Sequence, residues 1–68
     1  MSVYAPQMGV WRGPDGILVE AIILDDRPML RVSRQVDGRT YFRCYCSAVE
    51  ELGRHGVDLA QLVEEPRD

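Results

Sequence analysis

Three turn signatures constrain this chain more than any other feature. GPDG at 13–16, DDRP at 25–28 and VDG at 36–38 place proline, aspartate and glycine where a backbone reverses. Between and after them lie ILVEAIIL (17–24), MLRVSRQ (29–35) and RTYFRCYC (39–46). Each segment has strand length and is rich in β-branched, aromatic or alternating residues. The last alternates cleanly: Thr40, Phe42, Cys44 and Cys46 fall on one side, and Arg39, Tyr41, Arg43 and Tyr45 on the other. Short segments joined by tight turns predict an antiparallel meander.

Burial pattern sets the expected register. A two-residue loop at Asp37-Gly38 mixes apolar and charged side chains on both faces. A three-residue loop, Val36-Asp37-Gly38 with a bulge at Gly38, pairs Val32 with Phe42, Leu30 with Cys44, Ser33 with Tyr41 and Arg31 with Arg43. That choice gathers Leu30, Val32, Phe42 and Cys44 on one core face. Around Asp25-Asp26 the same parity pairs Leu24 with Arg27, Glu20 with Arg31 and Val19 with Val32. Val19, Ala21 and Ile23 join the core, and Glu20 can neutralise an arginine on the other side. The expected outer face carries Leu18, Ile22 and Met29 as an apolar patch beside Arg31, Ser33, Gln35, Arg39, Tyr41, Arg43 and Tyr45.

Helical signals follow. Ser47 with Glu50 three residues on reads as a capping box, with Val49 and Leu52 facing inward and Gly53 and Gly56 limiting the helix. Asp58 can cap a second short helix with Leu59, Leu62 and Val63 inward, ending near Pro66. The fold class is therefore α+β. It is a three-stranded antiparallel β-meander, four-stranded if Val10–Arg12 adds a strand, with one or two short C-terminal helices packed on one face. Residues 1–68 form one small domain: a loose arm over 1–9 with Trp11 closing the core edge beyond it, the meander over 17–46, and helices over 47–65.

Sixty-eight residues make a core that is marginal alone. The N-terminal residues lack the basic start and apolar run of a signal peptide, and GILVEAIIL is too short to span a membrane. Together with only two cysteines, these features predict a cytoplasmic protein with no membrane association. All eight cations are arginine, with no lysine and no asparagine, which points to a GC-rich genome, bacterial or phage. Net charge is −3, but residues 27–46 hold Arg27, Arg31, Arg34, Arg39 and Arg43 against Asp37 alone. A basic centre thus lies between acidic flanks.

The outer arginine and tyrosine side chains supply the expected binding face: Arg31, Ser33, Gln35, Arg39, Tyr41, Arg43 and Tyr45. Tyrosine and arginine are enriched at the centres of protein interfaces, so a non-enzymatic accessory or regulatory module is the leading expectation. Its partner is a second copy in a homodimer or a different protein. Nucleic acid is the alternative, with Tyr41 and Tyr45 stacking on bases and Arg39 and Arg43 on phosphates. Cys44, Cys46, His55 and Asp58 could supply metal ligands. However, Cys-Tyr-Cys lacks the two- to four-residue gap usual for structural zinc, so the cysteines read as core and no metal or other cofactor is expected. His55, between glycines at a helix end, reads as a cap and not as a general base. No nucleophile constellation or phosphate loop is visible, so neither catalysis nor a small-molecule substrate is expected. The acidic second helix argues against a helix-turn-helix that reads DNA.

Overall fold

The computed structural model describes residues 9–65. The arm expected over 1–9 lies outside it except for Gly9. That residue is buried, and its carbonyl accepts a hydrogen bond from Ala21 N at 2.9 Å. The chain forms strands β1 (Val10–Arg12), β2 (Ile17–Leu24), β3 (Arg27–Val36) and β4 (Arg39–Cys46), helix α1 (Val49–Arg54) and strand β5 (Val63–Glu64). Strand order across the sheet is β4-β3-β2-β1-β5, and every neighbouring pair is antiparallel. The sheet therefore has five strands where three or four were expected. No helix among the described residues is long and apolar enough to cross a membrane.

Aspartate shapes the reversals. Asp25 and Asp26 have φ of 52° and 64°, and Asp37 and Gly38 have φ of 54° and 79°. Both hairpins thus use two-residue turns whose central residues are left-handed, matching the right-handed twist of the strands. Aspartate tolerates this region better than most residues, and the chain has no asparagine to do the same job. A 3₁₀ turn at Pro14–Gly16 joins β1 to β2, again with a left-handed aspartate at Asp15.

The β2–β3 hairpin has the expected register, from Leu24↔Arg27 to Ile17↔Arg34. The β3–β4 hairpin does not. Its turn is the two-residue loop Asp37-Gly38, pairing Val36 with Arg39, Arg34 with Tyr41 and Ser33 with Phe42. The register then shifts between Ser33 and Val32, and Val32 pairs with Cys44, Arg31 with Tyr45 and Leu30 with Cys46. Arg43 is the residue left over, the extra member of a β-bulge. The expected three-residue loop is replaced by a tight turn plus a bulge inside the strand. This keeps Cys44 and Cys46 on the core side but sends Phe42 to the opposite side, where it is 56% exposed.

The core lies on one face of the sheet. Val19, Val32 and Cys46 are fully buried against Leu52 of α1 and Val57 beyond it, with Trp11, Ile17, Leu30, Cys44 and Leu62 packed around them. Ser47, rather than capping with Glu50, is bound by Glu51: Ser47 N and Oγ donate to the two Glu51 carboxylate oxygens at 3.2 and 2.9 Å. Those bonds, with a smaller contribution from Arg54 and His55, hold the Glu51 carboxyl below its ordinary pKa. Of the inward stripe, Leu52 is buried but Val49 is half exposed. The second helix is a single 3₁₀ turn, Leu59–Gln61, in which Asp58 Oδ1 accepts from Ala60 N at 3.0 Å. Leu62 then extends, and Val63, β-branched and 69% exposed, pairs with Arg12 as β5. Glu65 N donates to Val10 O at 2.7 Å and fastens the end of that strand.

Candidate functional site

On the face away from α1, cross-strand pairing aligns Arg12, Leu18, Ser33 and Phe42 in one row, and Val10, Glu20, Arg31 and Tyr45 in the next. The two rows meet in an aromatic pair. Phe42 and Tyr45 have ring centroids 4.8 Å apart with planes tilted by 50°, and both rings are substantially exposed. Residues three apart on a regular strand point to opposite faces. Only the bulge at Arg43 puts these two rings side by side. Bulges of this kind re-aim side chains and are common beside functional sites.

Around the rings, charge is mostly matched internally. Arg31 Nε donates to Glu20 Oε1 at 3.1 Å. That hydrogen bond and the Glu20 charge raise the Arg31 pKa above its ordinary value, and Tyr45 adds a smaller increment. Arg12 pairs with Glu65 through Nε at 3.3 Å, while its Nη1 donates to Gln35 Oε1 at 2.8 Å. Gln35 Nε2 in turn donates to Thr40 Oγ1 at 3.3 Å. Arg12 stands on β1 and Gln35 on β3, so the arginine stem crosses over β2. Leu18, the cross-strand partner of Arg12, is buried on what would otherwise be an open face.

The expected binding residues divide between locations. Arg31, Ser33, Gln35 and Tyr45 lie on the outer face, but Ser33 is buried and cannot touch a partner. Tyr41 and Arg39 pair with Arg34 and Val36, which share the face of Ile17 and the core side of the sheet. They are exposed there and do not join Tyr45. Arg31 faces Tyr45 instead of the expected Arg43. Arg43 is exposed on edge strand β4, and neither it nor Arg39 makes an ion pair among the described residues. The apolar patch is reduced: Leu18 is buried, and Ile22 and Met29 are half-buried. Phe42 is the site residue that alternation alone assigns to the core; the only hint of its true position is the Asp-Gly dipeptide favouring a two-residue turn.

No protein-family profile matches this chain, and comparison with characterised proteins and with solved structures yields no significant match. Its own geometry is the basis for reading its function.

The core side carries two further features. An apolar groove of about 300 Å³ lies between sheet and helix, lined by Trp11, Val19, Leu30, Val49, Leu52, Leu59 and Leu62. Beside it, the Cys44 and Cys46 sulfurs and a His55 ring nitrogen lie within 4.8 Å of one another. Asp58, the fourth ligand considered from sequence, is not in that group. His55 caps α1 through its backbone, donating to Leu52 O at 3.0 Å, which leaves its ring free.

Proposed function

We propose that this chain is a small non-enzymatic binding module, an accessory or regulatory protein that docks a different, acidic protein on its outer sheet face. The observation that carries this reading is the bulge-built Phe42–Tyr45 pair, exposed beside Arg43 on an edge strand. Aromatic rings give rigid contact area at small entropic cost, and an arginine without a carboxylate partner among the described residues gives bidentate recognition of one. Matched charges elsewhere on the face favour a protein over nucleic acid. Arg31 and Arg12 are already engaged by Glu20 and Glu65 and so are not free to follow a run of phosphates. The two carboxylates bonded on this face, Glu20 and Glu65, are already engaged by Arg31 and Arg12, which favours a heterologous partner over a homodimer.

The test is an amide-resolved NMR titration with short acidic peptides bearing an apolar anchor, and separately with duplex and single-stranded DNA. Saturable shifts at Phe42, Arg43 and Tyr45 with the peptides, lost in Arg43→Glu while the fold persists, are the expected result. Shifts with DNA alone would make this a nucleic-acid binder. Shifts that grow with protein concentration before any ligand is added would make the partner a second copy. No response at those residues to any of these would remove the site from this face.

A further inference from the structure

Cys44 and Cys46 point to the helix side of β4, across the sheet from Phe42 and Tyr45, and the binding face makes no use of them. Two thiols and an imidazole, their donor atoms all within 4.8 Å, are an unusual group to find assembled in so small a chain. Cys46 is fully buried, Cys44 is half-buried and His55 is exposed, so the cluster is anchored in the core and opens to solvent on the histidine side. The one-residue Cys-Tyr-Cys spacing does not match zinc knuckles, in which a tight turn delivers both cysteines. Here a strand delivers them, because side chains two apart share a face, and the third donor arrives from the end of a helix.

We propose that Cys44, Cys46 and His55 bind one zinc ion that clamps the end of α1 to β4, with the fourth coordination position open. The donor set selects the metal class: thiolate and imidazole suit zinc, whereas calcium and magnesium take oxygen ligands. Zinc–sulfur and zinc–nitrogen bonds of about 2.3 and 2.0–2.1 Å place tetrahedral donors roughly 3.5–3.8 Å apart, so closure of about 1 Å completes the site. His55 can supply its share by moving toward the two sulfurs. Its ring is exposed, and the next residue, Gly56, has a φ of 82° with open space around it. Glu51 lies close enough for its charge to act on Cys46 and His55. Both its oxygens are held by Ser47, so it adds attraction for a cation without being a ligand.

A clamp at this point answers a weakness of the fold. The buried core is a handful of side chains, a groove remains open under α1, and that helix is only Val49–Arg54. Small domains commonly add a disulfide or a structural metal in this situation. On binding, both thiols release their protons to solvent and the ring binds as neutral imidazole.

The experiment is titration of the reduced full chain with cobalt(II), then displacement by zinc. The expected result is one equivalent per chain, with thiolate-to-cobalt charge-transfer absorption and tetrahedral visible bands that zinc abolishes. The thermal midpoint should rise in zinc. Cys44→Ser and His55→Ala sit outside the fully buried core and should leave the metal-free midpoint near the parent. Each should weaken zinc binding about tenfold or more. Absence of a thiolate band, affinity unchanged in His55→Ala, half an equivalent per chain from a metal shared between copies, or uptake of copper(I) but not zinc would each overturn the assignment. None of these readouts involves the Phe42–Tyr45 face, so the clamp and the docking site stand or fall separately.

Discussion

The hairpin β2–β3 turns at Asp25-Asp26 and the hairpin β3–β4 turns at Asp37-Gly38, with left-handed backbone at both central positions of each. Beyond the turns they diverge. The first keeps a single register from Leu24↔Arg27 to Ile17↔Arg34. The second changes register after four pairs, from Val36↔Arg39 to Ser33↔Phe42, and leaves Arg43 without an opposite residue. Position in the sheet explains why the second can do this. β2 is paired on both sides, by β1 and β3, so an extra residue there would disrupt two ladders. β4 is an edge, and its bulge disturbs only one. A bulge with an arginine on it also discourages edge-to-edge pairing with other chains. The same local defect thus protects an edge and reverses which residues face out. The even hairpin supplies core, and the uneven one supplies both the aromatic pair and the two inward cysteines.

The largest expected effect separates the two halves of β3–β4. Val32, 1% exposed, lies at the centre of both hairpins. Val32→Asp buries an unpartnered carboxylate and should cost more than about 3 kcal/mol, enough to abolish the cooperative thermal transition. Phe42→Asp should remain folded, within about 1 kcal/mol of the parent, because its ring is on the surface. The register set by a three-residue Val36-Asp37-Gly38 loop makes the opposite demand, since it pairs Phe42 with Val32 in the core. Unfolding of Phe42→Asp would therefore break the comparison at its root.

Two glycine substitutions come next. Gly16, at the open end of the first hairpin, has a φ of 79°, and a Cβ there would lie 2.1 Å from the Gln35 carbonyl oxygen. Gly16→Ala combines a left-handed penalty with a backbone clash and should cost about 2 kcal/mol or more by chemical denaturation. Gly38 has the same φ, but a Cβ there meets nothing within 4 Å. Gly38→Ala should cost only the conformational part, about 1 kcal/mol. Equal losses at the two positions would mean that the open end of the first hairpin relaxes away from Gly16 at little cost.

Much of this fold is legible in the residues. The Asp25-Asp26 turn, the strands at Ile17–Leu24 and Arg39–Cys46, the Glu20–Arg31 pair and the parity of Val19, Val32, Cys44 and Cys46 all follow from alternation and turn chemistry. Phe42 does not, because alternation analysis assigns one register per strand and a bulge needs two. With Thr40, Phe42, Cys44 and Cys46 in phase, the sequence looks like one face. Yet Phe42 and Cys44 end on opposite faces, because Arg43 sits between them as an extra residue. β5 was hidden for a different reason. Leu59, Leu62 and Val63 have helical spacing, but a single 3₁₀ turn satisfies the Asp58 cap, and the free edge of β1 then captures Val63 and Glu64. The cysteine–histidine cluster needed tertiary structure as well, since nothing in local spacing brings a helix end to the core side of β4.

The smallest expected effect bears on whether the two turns are equivalent units. Asp26 has a φ of 64° where the second turn has Gly38 at 79°. Asp26→Gly converts the first turn to the aspartate-glycine pair of the second. Glycine relieves the left-handed cost but loosens the unfolded chain, and these contributions nearly offset. A gain of about 0.5 kcal/mol or less is expected in chemical denaturation, with cross-strand contacts between Leu24 and Arg27 unchanged. A loss instead would show that the Asp26 side chain holds the first turn by a contact the second turn lacks. The even register of β2–β3 would then owe something to its turn, and not only to β2 being paired on both sides.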